Sequence, residues 1–194
     1  MKELLEDDEI RLRALEPEDL PLLYKWENDT SLWSAGSGIA PFSRKILWDY
    51  IENYSPDIYA ARQLRLMIEV KATGEAVGTV DLYDFDPHNK RAGIGLLVDS
   101  LHAGKGYGSR ALALMVVYAR KFIGMHQLWA IVAVDNAPSL ATFRKCGFKI
   151  CGRLNFCFLT FLFAGGCAHG CAVNPLMSML TRFSTWLMSR DGLL

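Results

Sequence analysis

The 194-residue chain lacks an excess of either charge, because 21 Lys and Arg residues face 21 Asp and Glu residues. A balanced surface provides no bulk attraction for nucleic acid or for an anionic membrane, so neither is predicted as a partner. The amino terminus also lacks the apolar segment of a secretory signal, and the predicted location is the cytoplasm. Partners therefore have to be inferred from local sites.

Cysteine pairs at the usual metal-binding or redox spacing are missing as well. The five cysteines include no Cys-x-x-Cys pair, and their odd number is typical of reduced thiols in a reducing compartment. Cys167, His169 and Cys171 alternate, but this spacing differs from that of usual zinc ligands and supplies no fourth ligand. We predict no metal site.

Charge is nearly absent from the end of the chain. Only three residues between 155 and 194 are charged: Arg182, Arg190 and Asp191. The apolar stretch within this segment has the length of a membrane helix, but glycines and Pro175 interrupt it and it lacks a strongly basic flank. We predict one domain over residues 1–154, followed by an atypical apolar tail over residues 155–194.

The rest of the chain alternates predicted strands with predicted helices. Alternating polar and apolar residues indicate a strand, an unbroken apolar run such as 128–134 indicates a strand buried on both faces, and Ser43 and Asn136 are suitable helix N-caps. The predicted strands are 9–15, 64–70, 76–85, 91–98, 128–134 and 148–154, and the predicted helices are 16–26, 44–54, 109–122 and 137–146. This order implies an α/β fold with a mixed sheet flanked by helices.

Three alternating glycines stand directly before the helix predicted at 109–122: Gly104, Gly106 and Gly108. Glycines in this position indicate either a special backbone conformation or a close approach, which could be tight packing against a neighbouring strand. A tight turn into a helix also leaves backbone N–H groups free at the positive end of the helix dipole, where a phosphate can bind. The spacing matches neither a Walker loop nor a dinucleotide-binding fingerprint.

Two segments together resemble the GNAT family of N-acetyltransferases. "AGKGYGSRAL" (103–112) is similar to the family's pyrophosphate-binding motif, Gln/Arg-x-x-Gly-x-Gly/Ala, with Gly106 and Gly108 as its two glycines. "VDNAPSLATFRKCGF" (134–148) is similar to the second family signature, and the strand predicted at 128–134 lies between the two. Within the family, the chain is most similar to spermidine acetyltransferases and to ribosomal-protein N-terminal acetyltransferases.

The resemblance implies an acyl-CoA N-acyltransferase fold with acetyl-CoA as the cosubstrate. Its pyrophosphate would bind the loop before the helix, and its pantetheine would run along strand 91–98, where the backbone N–H of Val98 would stabilise the oxyanion. The implied cofactor-binding residues are Leu97, Val98, Ala103, Gly104, Lys105, Gly106, Tyr107, Gly108, Ser109, Asn136 and Ser139. Ala103 departs from the Gln or Arg that the family often carries, which predicts weaker binding at most.

The resemblance also implies an amine acceptor, and here the chain departs from the family. Phe143 occupies the position at which spermidine-type enzymes carry a proposed tyrosine acid, and phenylalanine cannot donate a proton. Glu27 and Asp84 are the predicted contacts to a cationic substrate. The predicted acceptor is a polyamine such as spermidine. The alternatives are a protein N-terminus, or an acyl-CoA-binding module with little turnover, and a homo-oligomer stays open.

Overall fold

The computed structural model describes residues 2–33, 40–154 and 159–164. The strands are β1 (Ile10–Arg13), β2 (Leu64–Val70), β3 (Glu75–Asp86), β4 (Arg91–Val98), β5 (Gln127–Ala133), β6 (Lys149–Leu154) and β7 (Leu159–Ala164). They form one seven-stranded sheet in the order β1-β2-β3-β4-β5-β7-β6. Neighbouring strands are antiparallel, except that β4 and β5 are parallel.

The helices flank this sheet on both faces. They are α1 (Lys2–Leu5), α2 (Leu20–Glu27), α3 (Thr30–Trp33), α4 (Arg44–Glu52), α5 (Ile58–Ala61), α6 (Tyr107–Tyr118) and α7 (Ala137–Lys145). Short 3₁₀ turns span Pro17–Asp19 and Ser100–His102, and α6 continues as a π-helical turn over Ala119–Ile123. In the part of the chain that the structure describes, no helix is both long and apolar enough to cross a membrane.

Each face of the sheet has its own apolar core. Leu112 and Met115 of α6 and Phe143 of α7 are buried on one face. Trp26 of α2 and Leu47 of α4 are buried on the other face. The sheet is therefore a central layer between two helical layers, which confirms the predicted α/β architecture.

Two local predictions need correction. Helix α6 begins at Tyr107, two residues before the predicted start, because Gly106 already adopts the cap conformation. Strand β5 is buried on alternate residues instead of on both faces, with Leu128 and Ala130 buried and Trp129 half-buried. The second face of β5 is less covered because α2 and α4 pack over β2 and β3.

The predicted tail contributes one strand to the sheet. Strand β7 inserts between β5 and β6 and is antiparallel to both. Leu162 and Ala164 are buried. The domain boundary after residue 154 stays a prediction, and Cys167, His169 and Cys171 lie outside the described residues.

Candidate functional site

Strands β4 and β5 separate after a short parallel contact. They pair only at Arg91 with Gln127, Ala92 with Leu128 and Gly93 with Trp129, although both strands continue beyond these pairs. We call the space beyond Gly93 the opening. Because parallel strands end at the same edge of a sheet, α6 after β4 and α7 after β5 both begin at the wide end of the opening.

The loop before α6 exposes a row of backbone N–H groups. None of the amides of residues 104–109, which we call the amide loop, donates to a described residue, and the first helical bond runs from Arg110 N to Gly106 O at 3.2 Å. Gly104 and Gly106 have φ values of +77° and +89°. These left-handed conformations favour glycine, and the free N–H groups at the helix start suit a phosphate.

The third glycine of the motif has a different role. A Cβ atom on Gly108 would lie 3.2 Å from Leu96 Cδ2 and 3.2 Å from Val98 Cγ2, whereas one on Gly104 or Gly106 would meet nothing within 4 Å. Gly108 therefore allows α6 to pack closely on β4. Both alternatives raised by the sequence apply, each to different glycines.

Two cations near the amide loop differ in their partners. Arg110 of α6 is held by three carboxylates, those of Asp7, Asp8 and Glu9, at 3.0, 2.8 and 2.6 Å. Lys105 is exposed and forms no ion pair with any residue in the described ranges. Lys105 is therefore the cation of the loop that is available to an anionic ligand.

The amide of Val98 faces the opening. Asp99 N–H donates to Val77 O at 2.8 Å, which directs the Asp99 amide toward β3. Successive strand amides alternate in direction, so the Val98 amide points away from β3 and toward β5. This is the orientation that the predicted oxyanion donor requires.

At the start of α7 the predicted cofactor contacts also hold the helix. The side chain of Asn136 accepts a hydrogen bond from Ser139 N at 3.1 Å and so caps the helix, as predicted. Phe143 is only 2% exposed and packs edge-on against Phe148, with ring centroids 5.0 Å apart. Position 143 is therefore a core position of the fold.

Gly93 and Gly95 of β4 have no side chains, and their backbone lies beside the aromatic pair Tyr83 and Trp129. A Cβ atom on Gly93 would overlap the ring of Tyr83, and this ring meets Trp129 edge-on at a centroid distance of 5.2 Å. A Cβ atom on Gly95 would lie 3.5 Å from Tyr83 Cε1 and 3.8 Å from Asp81 Oδ2. A carboxylate and an aromatic ring thus flank β4 where the opening begins.

A charged cluster lies next to Gly95 on the face that α2 and α4 cover. Arg65 of β2 donates to both carboxylate oxygens of Asp81, at 2.9 and 3.2 Å, and to Glu27 of α2 at 2.9 Å. Its guanidinium lies over the ring of Tyr50, and its backbone bonds the hydroxyl of Tyr54. We call these five residues the Arg65 cluster.

Electrostatics keeps the Arg65 cluster charged. Burial alone lowers the pKa of Arg65, but Asp81 and Glu27 outweigh that effect and raise it well above its ordinary value. Burial raises the pKa of Tyr50 and of Tyr54. Arg65 therefore stays a cation beside its two acidic partners.

The two predicted substrate contacts occupy different elements. Glu27 belongs to α2 and is part of the Arg65 cluster. Asp84 is exposed and has a positive φ of 46°, at the irregularity between Tyr83 and Asp86 where the β3–β4 register shifts. The sequence did not single out Arg65, although a lone arginine within the apolar segment "LRLMIEV" was a visible signal.

Asp99 joins the end of β4 to α2. Its carboxylate is buried and accepts hydrogen bonds from Trp26 Nε1 at 2.8 Å, from Lys25 Nζ at 2.5 Å and from Leu101 N at 3.1 Å. Burial alone raises the pKa of Asp99, but these hydrogen bonds outweigh it and lower the pKa to about 2. Asp99 is not among the residues predicted from the sequence.

A family model matches most of this chain and identifies its family. The model of the acetyltransferase (GNAT) domain matches residues 9–149, well over half of the chain. The chain belongs to the GNAT acetyltransferase family. The predicted GNAT fold and N-acetyltransferase activity are confirmed, and acetyl-CoA is the cosubstrate that this family uses.

Relatives of this GNAT acetyltransferase act on different amines. It is 26% identical over 148 residues to spermidine N(1)-acetyltransferase of Escherichia coli K12, covering 75% of each chain. It is 30% identical over 81 residues to an L-amino acid N-acetyltransferase of the same bacterium, covering 41% of this chain and 50% of the relative.

Solved structures share the fold. Spermidine N-acetyltransferase from Vibrio cholerae in complex with CoA and spermine matches with a TM-score of 0.71 and 21% identity, over 81% of this chain and 96% of that one. A dodecameric structure of the Vibrio cholerae enzyme matches with a TM-score of 0.66 and 22% identity, over 81% and 94% of the two chains. At these identities the similarity establishes the architecture, and the site residues remain predictions.

Proposed function

We propose that this chain transfers the acetyl group of acetyl-CoA to a primary amine of a polyamine such as spermidine. The observation that carries the acceptor class is the carboxylate of Asp81 beside Gly95, together with the ring of Tyr83, where β4 and β5 separate. A carboxylate and an aromatic face both attract an ammonium group. The spermidine acetyltransferases among the relatives support the same class.

The charge of the Arg65 cluster supports a cationic acceptor. Asp81 and Glu27 both pair with Arg65 in a half-buried place, so two carboxylates lie around one guanidinium. An ammonium group bound beside these carboxylates would be attracted to them, whereas the carboxylate of an amino-acid acceptor would be repelled. Asp84, exposed on β3, is the proposed second contact for a long polyamine.

The amide loop is the proposed site of the acetyl-CoA pyrophosphate. Its free N–H groups and Lys105 would bind the phosphates, and Leu97, Ala103, Asn136 and Ser139 would supply further contacts to the cosubstrate. The Val98 N–H would donate to the thioester oxygen as negative charge develops there. When bound, acetyl-CoA supplies the activated acetyl group.

The amine has to lose a proton before it attacks, since an ordinary primary amine has a pKa of about 10.4. The leaving thiolate must in turn be protonated. Phe143 can supply no proton, so the proposed chemistry assigns it a packing role. Bringing the neutral amine and the thioester together at the opening is the main contribution that the chain's own residues make.

Mass spectrometry of the products is the direct test. Purified protein would be incubated with acetyl-CoA and a panel of spermidine, spermine, free amino acids and short peptides with free N-termini. We expect acetylated spermidine or spermine as the main product. Asp84→Asn should raise the KM for the polyamine several-fold, while the control Asp86→Asn, which removes a charge that pairs with Arg91, should leave that KM unchanged.

Other outcomes of this experiment would favour a different acceptor or a different function. Acetylated peptides without acetylated polyamines would favour a protein N-terminus as the acceptor. Binding of acetyl-CoA with no product at all would favour a binding module. Sedimentation of the same sample tests the homo-oligomer that the dodecameric Vibrio cholerae enzyme suggests.

A further inference from the structure

Asp99 forms hydrogen bonds both to α2, on the acceptor side of the proposed site, and to the turn that precedes the amide loop. Its side chain is 6% exposed. One carboxylate oxygen accepts from Trp26 and Lys25 of α2, and the other accepts from the backbone of Leu101. Its own backbone N–H bonds Val77 of β3, so the residue is fixed to the sheet.

On one side, Asp99 holds the last turn of α2. Trp26 is 3% exposed and belongs to the core beneath α2 and α4. The next residue along the helix is Glu27, which pairs with Arg65. A shift of this turn would therefore move both the Trp26 indole and the Glu27 carboxylate.

On the other side, Asp99 shapes the entry to the amide loop. Its carboxylate caps the 3₁₀ turn Ser100–His102 through Leu101 N, and its carbonyl accepts from His102 N at 2.8 Å. Ala103 N then bonds Ser100 O, and the amide loop begins at the following residue. The orientation of the first loop amides thus depends on this turn.

We propose that Asp99 is a positioning residue that couples α2 to the amide loop, so that occupancy of the loop orders the acceptor side of the site. This inference rests on the proposed function, in which the amide loop binds acetyl-CoA. Coupling is reciprocal, so if occupancy of the loop orders α2, then the ordered α2 in turn strengthens acetyl-CoA binding, and a change on α2 that weakens the link to Asp99 should weaken that binding. Asp99 itself touches no reacting atom in this scheme.

Trp26→Phe tests the link with the smallest change, because it removes the indole N–H donor and keeps an aromatic ring in the core. Leu23→Val is the matched control, since Leu23 is 1% exposed on the same helix and does not bond Asp99. Calorimetry gives the Kd of acetyl-CoA for both variants. Hydrogen exchange of the α2 amides, with and without acetyl-CoA, measures the reverse direction of the coupling.

We expect Trp26→Phe, which leaves the Lys25–Asp99 ion pair in place, to raise the Kd of acetyl-CoA by about fivefold and to reduce the slowing of α2 exchange by acetyl-CoA. Leu23→Val should leave both quantities unchanged. The coupling is disproved if Trp26→Phe leaves the Kd and the α2 protection as in the parent, or if Leu23→Val shifts both equally. Gly106→Ala serves as the loop control: a Kd unaffected by that variant overturns the loop assignment, and the coupling with it.

Discussion

The amide loop and the Arg65 cluster lie at the two sides of the opening and are built in opposite ways. The amide loop relies on exposed backbone N–H groups and on two glycines with positive φ. The Arg65 cluster relies on half-buried charged side chains from three elements, α2, β2 and β3. One region depends on backbone conformation, and the other depends on charge balance.

This difference determines how each region responds to mutation. The amide loop owes its conformation to two glycines, and its exposed Lys105 can change at little cost to the fold, whereas Tyr107 and Gly108 pack against the core. Each charge of the Arg65 cluster has partners that would be left unpaired in a poorly hydrated place. Stability therefore depends more on the cluster, and ligand binding depends more on the loop.

The largest expected effect is on the cluster. Asp81→Asn removes the bidentate partner of Arg65, whose side chain is 17% exposed, and should lower the free energy of unfolding by about 3 kcal/mol. Urea unfolding at neutral pH measures the loss. The control Lys45→Met removes an ion pair whose lysine is 82% exposed and should cost less than about 0.5 kcal/mol. Similar losses of free energy of unfolding in both variants would show that the Arg65 cluster stabilises the fold no more than an exposed ion pair does.

The lowered pKa of Asp99 predicts that its contribution to the free energy of unfolding depends on pH. Its pKa is lowered from 3.8 to about 2 in the folded chain, so the stabilisation is present above about pH 4 and is lost as the pH falls toward 2. A shift of this size corresponds to about 2 kcal/mol. Unfolding of the parent and of Asp99→Asn should therefore differ most above pH 4 and converge by pH 2. Parallel curves across that range would refute the assignment.

A substitution at Gly106, with a suitable control, separates acetyl-CoA binding by the amide loop from the stability of the fold. Gly106→Ala should raise the Kd of acetyl-CoA about tenfold, equivalent to about 1.4 kcal/mol, because alanine disfavours a φ of +89° at the start of α6. Gly124→Ala is the matched control, since Gly124 has a φ of +81° and also has no neighbour within 4 Å of an added Cβ. Urea unfolding should show similar losses of stability in both variants, and titration calorimetry should show a raised Kd only for Gly106→Ala.

Phe143 gives the smallest predicted effect. Phe143→Tyr places a hydroxyl in a 2% exposed core position and should lower the free energy of unfolding by about 1 kcal/mol. Phe148→Tyr, at its equally buried ring partner, is the control for stability. The acetylation rates of the two variants are then compared. A gain in rate at position 143 alone would show that the fold tolerates a proton donor there and can use it.

The amide loop could be predicted from the sequence because its information is local. Three glycines within five residues, followed by a helix, are enough to indicate free N–H groups and a positive helix end. The same holds for the caps at Ser43 and Asn136, each of which bonds an amide three residues ahead. Local patterns of this kind do not depend on how distant segments pack.

The Arg65 cluster could not be predicted in the same way, because a β-bulge sets its pairing. Continuing the register of Val70 with Glu75 along a regular hairpin would place Arg65 opposite Val80. The shift between Ile68 and Glu69 moves it opposite Asp81 instead. Glu27 then joins from a helix 38 residues earlier, a contact that only the packing of α2 determines.

Strand β7 has a consequence for the order in which the chain folds. Of the described strands it comes last in sequence, yet it lies inside the sheet, between β5 and β6. During synthesis, β5 therefore presents an unpaired strand edge from the time it forms until residues 159–164 have been made. A nascent chain that stalls before residue 159 would expose this edge to its neighbours, and aggregation of such truncated products is the cost of placing β7 in the interior of the sheet.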